Sequence, residues 1–271
     1  IVTKRVADPQ TRPAVLQNEI KMTLFQPHLS LALCVGISGS ALALDMTPPS
    51  TISQEAAAQL LQMSPAKDPT LQGMTYADAF EMLRDSTADT VRNAHTRFPA
   101  SIETVKIDNA EHLLITPDNL VPALSDHLLI HLHGGAHVFF SPDSAFNSSL
   151  AAAYSVGVRV LSVRYPLAWQ SPFPASRDRV VAVYQHLLKE YPAEKLALYG
   201  DSAGGGLILS TLQHMQANGI NMPAAAALLS PWTDVSGAGD SYAVMSGQDP
   251  VIDYPQSLAA AARIYAGELT L

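Results

Sequence analysis

The stretch Leu196-Ala197-Leu198-Tyr199-Gly200-Asp201-Ser202-Ala203-Gly204-Gly205 runs from an apolar segment through G-x-S-x-G into a second apolar segment. A strand that turns sharply into a helix at such a serine leaves the hydroxyl exposed at the carboxyl end of a sheet, which is the geometry of an acyl-transfer nucleophile. The turn works only if the flanking residues are small, because strand and helix approach closely; Gly200 and Gly204 meet that need. The following helix presents its free N–H groups and positive dipole end to developing negative charge. A phosphate-binding loop would need Gly-Lys-Ser/Thr after the glycines, and this chain has Gly206-Leu207-Ile208.

A second constellation, His131-Leu132-His133-Gly134-Gly135-Ala136, follows an apolar strand. When a nucleophile attacks an ester carbonyl, the oxygen gains charge, and backbone N–H groups aimed at it lower the barrier. Gly134 and Gly135 can bring their N–H groups close to that oxygen because no side chain intervenes, and Ala203, just after the serine, supplies another. The predicted site is therefore Ser202 as nucleophile with Gly134, Gly135 and Ala203 as the oxyanion hole. His131 and His133 alternate along a strand, as a metal pair would, but no matching ligand cluster lies nearby in the sequence. The single cysteine, Cys34, excludes an internal disulfide and any zinc ligand set built on cysteine spacing. No metal and no organic cofactor are expected.

The elements that must position these residues follow from periodicity. Helical spacing covers Ser53 to Met63 and Tyr76 to Ala94. Ile102 to Ile107 and His112 to Ile115 read as strands joined by an Asp108-Asn109 turn, and His127 to Leu132 as a buried strand. Helix and strand then alternate: helix Ser144 to Tyr154, strand Arg159 to Val163, helix Ser176 to Glu190, strand Lys195 to Tyr199, helix Ala203 to Asn218, strand Ala224 to Leu229, and a final helix Gln256 to Tyr265. That alternation predicts an α/β fold with a mostly parallel sheet covered on both faces.

His133-Gly134-Gly135-Ala136 together with Gly200-Asp201-Ser202-Ala203-Gly204-Gly205 resembles the hormone-sensitive-lipase-like branch of the α/β-hydrolases, a group of carboxylesterases and lipases. Ser162-Val163-Arg164-Tyr165-Pro166-Leu167-Ala168, Asp178 and Ser230-Pro231-Trp232-Thr233-Asp234 are similar to stretches of the same family. The resemblance covers roughly Ile102 to Gly267 and implies an α/β-hydrolase fold, an acyl-enzyme on Ser202 and a small-molecule ester as the partner. It also implies a structural place for His133, under the oxyanion loop. Ala136 stands where a third glycine is common, and Trp169-Gln170 where Pro-Glu is usual. Amide and carbamate substrates would use the same groups, and a ligand-binding protein on a hydrolase scaffold is the rival from another class.

The remaining triad members are the gap. The family places its acid and histidine on loops after the next strands, whereas this chain ends at Leu271 and has only His214 downstream of Ser202, within the helix that the elbow launches. Asp234 is a conceivable acid but suits turn capping better, and Asp249 and Asp253 are loop acids without an assigned partner. The expectation is a C-terminally truncated core, inactive or nearly so alone. It divides into a non-native leader with a signal peptide over 1–43, a helical cap region over 44–100 and the hydrolase core over 101–271. The apolar run ending in Ala41-Leu42-Ala43 places the signal peptide over Met22 to Ala43; the protein would then be secreted or periplasmic, and otherwise cytoplasmic. That run is short for a stable membrane span. With 48% hydrophobic and 15% charged residues the chain can bury one large core. Its net charge of −8, without a basic stripe, excludes nucleic acid as a partner.

Overall fold

A computed structural model of the chain describes residues 48, 50–62, 69, 73–246, 248–249 and 252–269. Cys34 and the Met22 to Ala43 run lie outside the described residues. Among those described, no helix is long and apolar enough to cross a membrane.

Two helices come first. Helix α1 (Gln54–Leu60) is capped by Ser53, whose side chain accepts from the Ala56 N–H at 3.2 Å. Helix α2 (Tyr76–Arg97) opens on a reciprocal box in which Thr75 Oγ1 accepts from the Asp78 N–H and the Asp78 carboxylate accepts from the Thr75 N–H. Strands β1 (Ala100–Ile107) and β2 (Ala110–Pro117) then form an antiparallel hairpin. Asp108 and Asn109 both take positive φ, 48° and 57°, the mirror-image turn that matches the right-handed twist of the strands.

From β3 (Leu128–Leu132) onward, strands and helices alternate: α3 (Phe146–Val156), β4 (Arg159–Ser162), α4 (Ala175–Leu187), β5 (Leu196–Asp201), α5 (Ala203–Ala217) and β6 (Ala225–Leu229). The sheet order is β1-β2-β4-β3-β5-β6, with β4, β3, β5 and β6 mutually parallel. Alternation along β3 shows why its sequence is almost wholly apolar. Leu128, Ile130 and Leu132 pack with residues of α4 and α5 on one face, while Leu129 packs with Leu150 and Ala153 of α3 on the other. The same alternation turns His131 toward α3, level with its register partners Ser162 on β4 and Tyr199 on β5. Strand β6 is the sheet edge among the described residues; Ala225, Ala226, Ala227 and Leu229 are exposed, Leu229 to 54%.

The predicted alternation is present, with shifts at the ends. Lys195, the expected start of the β5 strand, instead ends a 3-10 turn over Ala193–Lys195, and the strand begins at Leu196. The last predicted helix divides into a π-helical turn, Tyr254–Leu258, and an α-helix; a short helix, α6 (Asp240–Val244), falls in a stretch to which no element is assigned from sequence, so the last is α7 (Ala259–Ala266). The π-helical turn is entered through Pro255 in its first positions, where a missing N–H costs no helical hydrogen bond.

Close approach is what brings the two motifs together. A Cβ on Gly204 would overlap the carbonyl oxygens of Leu132 and His133, and one on Gly200 would sit 2.6 Å from the Leu132 oxygen. Gly204→Ala is therefore expected to lower the unfolding free energy by about 1–3 kcal/mol or more, as overpacking does. Gly239→Ala, whose Cβ would meet the Tyr242 ring at 3.4 Å and Ser241 Oγ at 3.9 Å, both ordinary contacts, is the matched control and should leave the urea midpoint nearly unchanged.

Candidate active site

Ser202 lies between β5 and α5 with φ 51° and ψ −121°, a conformation that residues with a side chain rarely adopt. The surrounding backbone holds it there. Its N–H donates to the Leu229 carbonyl at the end of β6, and its carbonyl accepts from the N–H groups of Trp232 and Gly206. Because Ser202 caps α5 without a side-chain hydrogen bond, its hydroxyl is not used up on the helix. The residue is half-buried.

The glycine loop arrives from β3 and crosses the end of β5. Gly135 has φ 105°, and Ala136 and His137 also have positive φ, 53° and 61°. Among the described residues, the N–H groups of Gly135 and Ala136 have no hydrogen-bond partner, and the N–H of Ala203, the first residue of α5, has none within its helix. Gly134 differs. Its N–H donates to Asp201 Oδ1 at 3.2 Å, so it is already engaged, where the sequence reading gave it the same free role as Gly135 and Ala203.

The loop is fixed from below by aromatic stacking. The His133 ring stacks on Tyr165 at 4.3 Å, its Nδ1 lies 2.8 Å from the Gly134 carbonyl, and the Tyr165 hydroxyl donates to the His133 carbonyl at 2.5 Å. The His137 ring stacks on Tyr265 of α7 at 3.7 Å and is tilted against Trp232. Burial pushes His133 down to about 4 and His137 to about 3, so both rings are neutral. Trp169, one of the departures from the family pattern, has a definite place. Its indole N–H donates to the Val138 carbonyl at 3.0 Å while its ring meets Phe80 of α2 edge-on at 6.1 Å, linking the loop to the second helix. Tyr76, at the start of that helix, packs on Phe139 at 5.7 Å.

The acids and histidine downstream of Ser202 are elsewhere. Asp234 Oδ1 accepts from both the N–H and the hydroxyl of Ser236, which closes a local turn as the sequence suggested. Asp249 accepts from the Ile252 N–H, and Asp253 from the Ser246 hydroxyl. His214 is eleven residues beyond the start of α5, about 16 Å along a helix of 1.5 Å rise. Among the described residues, no histidine is hydrogen-bonded to the Ser202 hydroxyl, and no cluster of His, Cys, Asp or Glu could hold a metal ion, the His131 and His133 pair included.

With this geometry in place, the comparisons with known proteins become specific. The family profile described as alpha/beta hydrolase fold matches residues 129–271, just over half of the chain. An esterase named E25 superposes with a TM-score of 0.70 at 31% identity, covering 87% of this chain and 73% of its own. The chain belongs to the hormone-sensitive-lipase-like α/β-hydrolases. An esterase of the bacterial hormone-sensitive lipase family gives a TM-score of 0.63 at 28% identity, covering 73% of this α/β-hydrolase and 64% of that chain. Among curated relatives, the acetyl-hydrolase of Streptomyces hygroscopicus is 36% identical over 54% of this chain and 50% of its own length. The ethyl acetate hydrolase of Pseudomonas putida is 33% identical over 45% and 41%. The chain thus spans about half or less of the length of these curated relatives.

Sequence reasoning missed the part played by Asp201, which counted only as the variable position of G-x-S-x-G, and the burial of His137. Neither leaves a local signal, because both depend on which strands and helices meet.

The buried rings give the site an acid limit. For a histidine held neutral in the fold, the unfolded chain binds the extra proton below its ordinary pKa of 6.5. The stabilisation is complete above pH 6.5 and is lost as pH falls toward 4. Each such ring contributes up to about 1.4 kcal/mol per pH unit in that window. Denaturant midpoints measured from pH 7.5 to 4.5 should decline steeply below 6.5; a flat profile would show these rings to be protonated in the fold.

Proposed function

We propose that the intact protein is a serine carboxylic-ester hydrolase acting on small acyl esters. The observation that carries the reading is the strained, positive-φ Ser202 at the head of α5, with a glycine loop packed directly over its turn. In the reaction, Ser202 Oγ attacks the ester carbonyl carbon and gives up its proton to a base. The tetrahedral oxyanion then collapses, the alcohol leaves with a proton, and water cleaves the acyl-enzyme to return the free hydroxyl and the acid. Gly135 and Ala203 supply the oxyanion N–H groups, joined by Ala136, whose substitution for glycine keeps the N–H. Gly134 is assigned to orienting the loop, since its donor is committed to Asp201. Each well-aimed donor in such a hole is worth about 3–4 kcal/mol of barrier. Helices α1 and α2 are assigned to a cap over the pocket, with Tyr76, Phe80, Phe139 and Trp169 forming a wall between cap and loop.

Small acyl groups are favoured by two of the relatives, an acetyl-hydrolase and an ethyl acetate hydrolase. Their activity belongs to proteins that this chain matches only in part. Because no described histidine engages Ser202, the 271-residue chain by itself is expected to turn over slowly. That same observation favours, as a second reading, a protein that binds esters on a hydrolase scaffold without cleaving them.

Hydrolysis of p-nitrophenyl acetate by the intact protein separates the two. The hydrolase reading expects turnover that Ser202→Ala reduces by roughly 10³-fold to 10⁶-fold, the range seen when a nucleophile is removed. Saturable binding of a non-hydrolysable ester analogue with no turnover would favour the binder. Matched ester and amide substrates then test the leaving group, with the ester expected to be cleaved faster.

A further inference from the structure

The variable residue of the elbow has a set of contacts that the reaction scheme leaves unused. Asp201 is the last residue of β5, one position before the nucleophile and directly beside the N-terminus of α5. A carboxylate so close to the helix start is favoured by the dipole there. Among the described residues, no N–H of α5 donates to it; instead Oδ1 turns across the sheet to accept the Gly134 N–H at 3.2 Å. The fit at Gly134 is tight on the same side, since a Cβ there would run into Asp201 Oδ2 and its carboxyl carbon. Gly134 is thus a glycine for reasons of space, with the carboxylate occupying the room that a side chain would need.

Behind the carboxylate, a polar line crosses three strands on the α3 face. His131 Nε2 lies 4.0 Å from Asp201 Oδ1, an electrostatic contact rather than a hydrogen bond, and Nδ1 lies 2.9 Å from Ser162 Oγ on β4. The His131 ring is fully buried and stacks on Tyr199 at 4.6 Å, so it cannot swing away. Burial holds it neutral, which leaves one N–H on the ring. Directing that proton toward the carboxylate makes Nδ1 the acceptor of the Ser162 hydroxyl proton and leaves Nε2–H facing Asp201 as a dipole at 4.0 Å. Burial works against the Asp201 charge, but the facing His131 ring N–H and the Gly134 N–H outweigh it and hold the carboxyl below its ordinary range. The Asp201 side chain remains about half exposed.

We propose that Asp201 is a positioning residue for the oxyanion hole: it pins Gly134 so that the next N–H groups of the loop face the Ser202 hydroxyl, with His131 and Ser162 fixing its own orientation. The inference rests on the ester-hydrolase reading and assigns the x of G-x-S-x-G a task within it. Asp201 touches neither the substrate carbonyl nor the reacting hydroxyl. It acts through one backbone hydrogen bond, and a loop displaced by about 1 Å aims its donors poorly at the developing charge.

The test uses the intact protein and its Asp201→Ala and Asp201→Asn variants. With p-nitrophenyl acetate, Asp201→Ala should lower kcat about 10-fold to 100-fold while KM stays within about 3-fold, the split expected when an interaction formed only in the transition state is weakened. Affinity for a trifluoromethyl ketone, which forms a tetrahedral adduct on the serine, should fall by the same factor, whereas a merely structural loss would not track it. Asp201→Asn keeps a side-chain carbonyl that can accept the Gly134 N–H and should recover most of the loss. If Asp201→Ala does not fold, Asp201→Ser, too short to reach the loop, replaces it. Backbone amide exchange over 134–136 should accelerate in the alanine or serine variant and stay slow in the asparagine variant, a readout independent of turnover. Wild-type kcat with unchanged exchange in Asp201→Ala overturns the proposal, as does an asparagine variant as impaired as the alanine one. An inactive wild-type protein would instead count against the hydrolase reading, and the exchange measurement would still decide how the loop is held.

Discussion

The approach of α5 to the end of β3 is the constraint on which the candidate site depends. Gly200 and Gly204 leave no room between the elbow and the Leu132 and His133 carbonyls, so the loop that continues from His133 has no freedom in where it starts. The strained backbone of Ser202 follows from the same closeness. A relaxed turn would splay strand and helix apart, and the hydrogen bonds from Ser202 to Leu229 and from Trp232 to Ser202 hold the unfavourable φ in place. Nucleophile and loop are therefore set by one packing event, and a change that loosens it disturbs both.

That dependence explains the uneven legibility of the sequence. The elements were readable because their signals are local: alternation in β3, helical spacing in α5, and a polar turn at Asp108 and Asn109. Ser202 was readable too, because the elbow demands small residues at fixed offsets. Loop donors were read only in part. Sequence shows that Gly134 and Gly135 lack side chains, yet it cannot show that Asp201, some seventy residues away, takes one of the two N–H groups. Trp169 is similar: as a departure from a family pattern it had no evident purpose, and its hydrogen bond to Val138 becomes visible only when α2, the loop and the segment after β4 are brought together. The π-helical turn Tyr254–Leu258 left no comparable signal, because its residues from Gln256 onward fit the same helical spacing as the α-helix that follows.

The two faces of the sheet divide their labour. The α4 and α5 side is apolar and supplies the large core, whereas the α3 side carries His131, Ser162 and Tyr199 in a row. Fully buried polar groups are costly unless partnered, so such a row specifies one arrangement of three strands more sharply than leucines would. It also leads to the end of β5, where that specificity reaches the glycine loop.

Strand β6 has a different consequence. Its outer edge carries no partner strand among the described residues, and its sequence, Ala225-Ala226-Ala227-Leu228-Leu229, has neither charge nor proline to discourage one. An edge of that kind is a template on which another extended segment can hydrogen-bond, and it lies directly beside the strand that ends in the elbow. Wherever that edge stays uncovered, it is a nucleation point for intermolecular β-pairing, which depends on how much protein is present.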